Sequence, residues 1–230
     1  MGEYYIYMAV VGVMSLIGML VQSRLKSKIE KYSQIPLSSG LTGREIANKM
    51  LNYYNISDVK IIEADGFLSD HYNPVNKTVA LSPFVYNSSS IAAAAIAAHE
   101  CGHAVQHATA YALLQMRSKL VPAVQFASMA QQWVLMIAFM LVNTMPQIML
   151  LAIIVFGITC LFSFITLPVE FDASRRALAW LDGSGFARGA EYDGAKDALK
   201  WAAMTYVVAA LSALVMLVYL VLRFLSASRN

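Results

Sequence analysis

The chain has 230 residues, of which 58% are hydrophobic and only 13% charged, and its formal net charge is +3. That charged share is about half of what soluble domains carry, so composition already points to a membrane protein. The basic residues gather beside apolar runs and form no aromatic-interleaved stripe, which argues against nucleic acid as a partner.

In chain order, the first apolar run is YYIYMAVVGVMSLIGMLVQ, residues 4–22. It is long enough to cross a bilayer as a helix. Only Glu3 precedes it and no small-residue cleavage site follows, so it reads as an uncleaved anchor over residues 1–22. Arg24, Lys26, Lys28 and Lys31 come next against a single acid, Glu30. The positive-inside bias puts this end in the cytoplasm and the N-terminus outside.

Residues 23–120 have the pattern of a small globular α+β domain. Thr42-Gly43-Arg44-Glu45 is a capping box, in which the threonine oxygen takes an amide three residues on and the glutamate reaches back. It predicts a helix through EIANKMLNYY. In VKIIEADGFLSDHYNPVNKTVALSPFVY, β-branched and aromatic residues are broken by Asp-Gly and by a Pro-Val-Asn-Lys turn, which predicts strands and a hairpin. From Ser88 or Ser90 to about Ala110, serine caps and a run of alanines predict a helix.

Apolar segments follow at residues 121–142 and 147–167, joined around Asn143-Thr144-Met145-Pro146 as a helical hairpin, and at 203–224. Each is long enough to cross, although Gln125, Gln131 and Gln132 weaken the first of them. A polar segment, 168–202, has a Gly-rich centre that reads as a loop between two helices, and 203–230 forms a last span and tail. The predicted fold class is a mainly α membrane protein with about four transmembrane helices and one small α+β domain. Cys101 and Cys160 lie far apart and suit neither a disulfide framework nor a thiolate metal site.

The chemistry concentrates in IAAAAIAAHECGHAVQH. In H-E-x-x-H on a helix, His99 and His103 stand one turn apart on one face and can hold two corners of one zinc tetrahedron. Glu100, on the neighbouring arc, can deprotonate a water that the metal polarises. Chance alone places this short motif in roughly one chain in a few hundred, so its context must carry weight. His107 lies two turns beyond His99, roughly 12 Å along the helix axis, too far to share the ion. The best third ligand is Glu170 in LPVEFDASRRA, because two spans separate it from the H-E-x-x-H helix and return it to the same side of the membrane. Asp172 is the alternative, as a ligand or as an acceptor holding a histidine N–H.

Three further features carry alternatives. The strand TVALSPFVY could pair with an extended peptide at a sheet edge, or be purely structural. Asp70-His71-Tyr72 is either beside the site or stabilising the turn. Of Arg175 and Arg176, one could stabilise an oxyanion, or both could simply follow the positive-inside rule.

Taken together, GLTGREIA, GFLSDHYNP with TVALS, IAAAAIAAHECGHAVQH and LPVEFDASRRAL resemble the YugP-type membrane zinc metallopeptidases, also called neutral zinc metallopeptidases. The likeness covers nearly the whole chain in the expected order. It implies a bacterial membrane-embedded endopeptidase with a zincin-like domain over residues 23–120 and one Zn2+ per chain. It also implies metal ligation by His99, His103 and Glu170 and a general base at Glu100. A more distant similarity is to the CAAX prenyl protease and HtpX groups, which usually place an aspartate four residues past the glutamate. Here that position is Ser174, and the nearby acid is Asp172.

The expectation is therefore a multi-pass enzyme of the bacterial cell membrane, with a cytoplasm-facing site, acting on peptide or protein substrates that are membrane-associated or unfolded. Asp172, Arg176 and His71 are expected to support the site or touch substrate, and membrane-protein partners would belong to a complex. The rival reading is a degenerate scaffold or partner-binding subunit that keeps a structural zinc. A metal transporter fits poorly, since the spans carry almost no ionisable residues. Arg223 and Arg229 would be exported by the last span, mildly against the bias set by Arg24 to Lys31 and by Lys119.

Overall fold

The computed structural model describes residues 2–66, 69–141, 144–145 and 147–228. Phe67, Leu68, Val142, Asn143, Pro146 and Arg229, each part of an expectation above, lie outside the described residues. The elements run α1 (Gly2–Ser33), α2 (Gly43–Tyr53), β1 (Lys60–Glu63), β2 (His71–Asn73), β3 (Thr78–Leu81), α3 (Pro83–Tyr86), α4 (Ile91–Ala108), α5 (Ala112–Leu141), α6 (Gln147–Gly183) and α7 (Ala190–Ala227). Among the described residues, four helices are long and apolar enough to cross a membrane: Tyr5–Ser33, Ala112–Leu141, Gln147–Gly183 and Ala190–Ala227. The protein is thus a mainly helical membrane protein with a small α+β portion.

The chain divides into two compact units, one of residues 1–21, 116–167 and 205–230, the other of 22–115 and 168–204. The first is a helical unit of the apolar stretches. Its core joins Ala138 on α5, Met149, Ala152 and Phe156 on α6, and Leu220 on α7. Tyr7 packs its ring 5.1 Å from Phe139 and 5.9 Å from Tyr219.

The second unit holds the small sheet. The capping box at Thr42 forms as the sequence predicts, with both reciprocal bonds present, and opens α2. Ser90 caps α4 by accepting from the Ala93 amide. The sheet order is β1-β3-β2, with β1 parallel and β2 antiparallel to β3. The turn at 74–77 is tied down by Asn73, whose side-chain oxygen accepts from the Val75 amide at 2.9 Å. TVALSPFVY is not an edge strand. Its first four residues form β3, which is paired on both sides, and the rest turns into the short helix α3. Pro83 has no N–H for a ladder and fits the first turn of a helix.

The long helices extend past the expected apolar limits. Hydropathy falls where charge begins, yet α6 continues through Pro168 and carries Glu170 on the same helix as the apolar run. Beyond Leu167 the helix keeps a buried face of Val169, Ala173, Ala177, Trp180 and Leu181, spaced three and four apart. The same holds for α7, which starts at Ala190 rather than near 203.

The alanine-rich half of α4 is the centre of this unit. Ile91 to Ala98 are all buried, and the core extends through Ile46, Met50, Val79, Leu81, Val85 and Leu181. Small side chains let neighbours approach closely. At Gly102 an added Cβ would lie 2.6 Å from the Ala173 carbonyl oxygen, so only glycine permits the contact between α4 and α6. Cys101 beside it is buried, and burial pushes its thiol upward in pKa, as suits an inert packing residue.

Candidate metal centre

Because α4 is regular across 99–103, the two histidines stack one turn apart, their ring centroids 4.9 Å apart and nearly perpendicular. The Gly102 contact with Ala173 brings the preceding turn of α6 against them. Glu170 Oε2 then lies 3.3 Å from His99 Nε2 and 3.5 Å from His103 Nε2. His99, His103 and Glu170 each offer one ligand atom, all within 4.8 Å of one another. Tetrahedral zinc with bonds of about 2.0–2.1 Å needs ligand atoms about 3.3 Å apart, so this donor set has the right scale.

The hydrogen bonds behind the cluster identify which nitrogens face it. The Gln106 amide nitrogen donates to the Val169 carbonyl at 2.8 Å and to Asp172 Oδ2 at 2.9 Å. Both are acceptors, so the other end of the amide, Oε1, is the atom 3.0 Å from His103 Nδ1. His103 Nδ1 therefore donates to Gln106, which leaves Nε2 as the nitrogen that faces Glu170. His99 Nδ1 lies 3.1 Å from the Ser174 hydroxyl, which can accept in the same way. Two imidazole Nε2 atoms and one buried carboxylate oxygen thus converge on one point, and a divalent cation there would use all three donors, so the residues fit a metal ion.

Glu100 is buried, and burial raises its carboxyl to about 7, with His99 and His71 pulling down and Glu170 and Asp70 pushing up. A cation on its neighbours would draw it back towards the ionised form.

The other expected residues separate clearly. Asp172 is not among the three clustered residues; it accepts from Gln106, which in turn bonds His103. Arg175 and Arg176 both pair with Asp172, the latter at 2.6 Å, so they serve this chain of contacts. His71 is exposed on β2, its Nδ1 2.8 Å from the Ser69 carbonyl. Asp70 accepts from the Ser82 amide at 2.7 Å and anchors the hairpin to the start of α3. His107 is bonded to the Tyr72 hydroxyl at 2.7 Å, away from the cluster. Gln106 and Ser174 were not anticipated as site residues. Their signal was positional: Gln106 follows His103 by three residues and Ser174 follows Glu170 by four, each on the same helix face.

Comparisons with known proteins agree with this geometry. A family described as "Putative neutral zinc metallopeptidase" matches residues 6–225. "Putative membrane protease YugP" of Bacillus subtilis (strain 168) is 42% identical over 205 residues, covering 89% of this chain and 90% of that protein. No solved structure matches.

Proposed function

The chain belongs to the neutral zinc metallopeptidase family, and from that premise we propose that it is a multi-pass membrane endopeptidase holding one zinc ion on His99, His103 and Glu170. The observation that carries this reading is the meeting of three ligand atoms from helices 67 residues apart in sequence, His103 to Glu170, inside a buried polar network. Zinc, when bound, polarises the scissile carbonyl and makes the attacking water more acidic.

Glu100 takes the proton from that water and passes it to the leaving amine. A cation on His99, His103 and Glu170 favours the ionised form of Glu100, which is the form that accepts a proton. Gln106 keeps the His103 proton on Nδ1, and Asp172 with Arg176 keeps Gln106 from flipping. An extended peptide would pair with β2, which is an edge strand packed against α4. The four long apolar helices favour substrates that are membrane-associated or unfolded, presented on the cytoplasmic side where Arg24 to Lys31 lie.

The test is turnover of an unfolded polypeptide by the purified zinc-loaded chain beside Glu100→Gln, with bound zinc measured in both. Wild type should cleave, and the variant should keep its zinc and lose activity by at least about a hundredfold. Equal behaviour of the two would overturn the enzyme reading in favour of a scaffold that retains zinc.

A further inference from the structure

Away from the metal centre, α6 and α7 enclose a groove of about 500 Å3 within the second unit. Its walls are two helical stripes, Phe171, Arg175 and Leu178 on α6, and Lys196, Lys200 and Ala203 on α7, each spaced three or four residues apart. The lining is apolar apart from three cations, a tyrosine and a serine, and no acidic side chain belongs to it. Phe171 is 48% exposed.

Distance along the helices sorts these residues by depth. On α7, Ala203 and Met204 adjoin Thr205, where the apolar unit resumes, while Lys200 stands five residues away. At 1.5 Å per residue that is about 7–8 Å. On α6, Phe171 lies four residues past Leu167 and Arg175 eight, about 6 and 12 Å. The headgroup layer of a bilayer is roughly 5–8 Å deep on each side, and long basic side chains reach back several ångströms towards it. Ala203 and Met204 thus lie nearest the apolar stretch of α7 and Phe171 nearest that of α6, with Lys200 and Arg175 each about one turn further out along its helix. Exposed Lys196 stands about one further turn out, where a larger headgroup ends.

We propose that this groove is a binding site for an anionic phospholipid, with an acyl chain along Phe171, Ala203 and Met204 and the phosphate between Lys200 and Arg175. Arg175 also pairs with Asp172, yet its side chain is 77% exposed and can meet a second anion. A basic pocket between membrane helices is the usual setting for anionic headgroups. The lipid would sit behind the metal centre, because Ser174, which lines the groove, meets His99 at Nδ1 and not at the Nε2 that faces Glu170.

The full zinc-loaded chain in neutral detergent should retain phosphatidylglycerol in native mass spectrometry at least about fivefold more tightly than phosphatidylcholine of the same acyl length. Lys196→Gln with Lys200→Gln should weaken phosphatidylglycerol by on the order of twenty-five-fold, at about fivefold per lysine. Ala179→Trp, at an exposed position lining the groove, should displace both lipids. Wild-type zinc content and melting temperature establish that each variant is folded. Equal retention of the two lipids, or a preference that survives the lysine changes, would overturn the proposal. So would glycerol 1-phosphate competing as well as whole lipid, which would mean a bare phosphate site, or an acidic amphipathic peptide displacing phosphatidylglycerol, which would mean a peptide groove.

Discussion

At the scale of single residues, the site depends on a polar chain that ends in charge. Gln106 is fully buried and joins His103 to the Val169 carbonyl and to Asp172. Replacing it by leucine keeps the volume and removes the hydrogen-bond partner of His103 Nδ1, so zinc affinity should fall about 10- to 100-fold, as loss of an orienting partner typically does. Competition with a chromophoric chelator checks this, and unchanged affinity would show that the histidine needs no such partner. Glu100 gives a pH effect whose sign is fixed. Burial pushes its carboxyl up from 4.5 to about 7, so the folded chain holds more protons between those values. Zinc-stripped protein should therefore lose melting temperature as pH rises from 5 to 7.5, and Glu100→Gln should flatten that slope.

At the scale of elements, the decisive contact is between α4 and α6 rather than any one ligand. Glycine at 102 lets the Ala173 backbone touch α4, and a methyl group there would meet that carbonyl at 2.6 Å. Backbone cannot yield as a side-chain tip does, so Gly102→Ala should cost about 1–3 kcal/mol and move Glu170 off the histidines. Gly157→Ala on α6 is the control, with nothing within 4 Å of the new carbon. Isothermal titration with zinc should show weakened binding for the first and wild-type binding for the second. This contact was not legible in the sequence, where Gly102 is simply one of the x positions in H-E-x-x-H. The strands were legible as a set, but their order was not. Alternation and turn residues place β2 and β3 in a hairpin, whereas nothing local says that β1 pairs in parallel on the far side of β3.

At the scale of the whole molecule, charge bias at the helix ends predicts orientation. Arg24, Lys26, Lys28 and Lys31 set α1 with its N-terminus outside, which places Thr144 outside and Asn52 within. Both residues are exposed, and the native Cys101 and Cys160 are buried and give little background. Thr144→Cys should react with an impermeant maleimide on intact cells, and Asn52→Cys only after permeabilisation; the reverse pattern would invert the topology. The sequence by itself determined the apolar helices and the capped helix bearing His99, Glu100 and His103, which follow from local periodicity, capping and spacing, and it favoured Glu170 because two spans return that residue to the same side of the membrane. Only the tertiary structure decided how the partner arrives and what holds it. Helix α6 runs unbroken through Pro168, Gly102 lets it touch α4, and Gln106 and Ser174 orient the histidines. Such contacts join residues some seventy positions apart, and close packing across that distance leaves no local pattern in the chain.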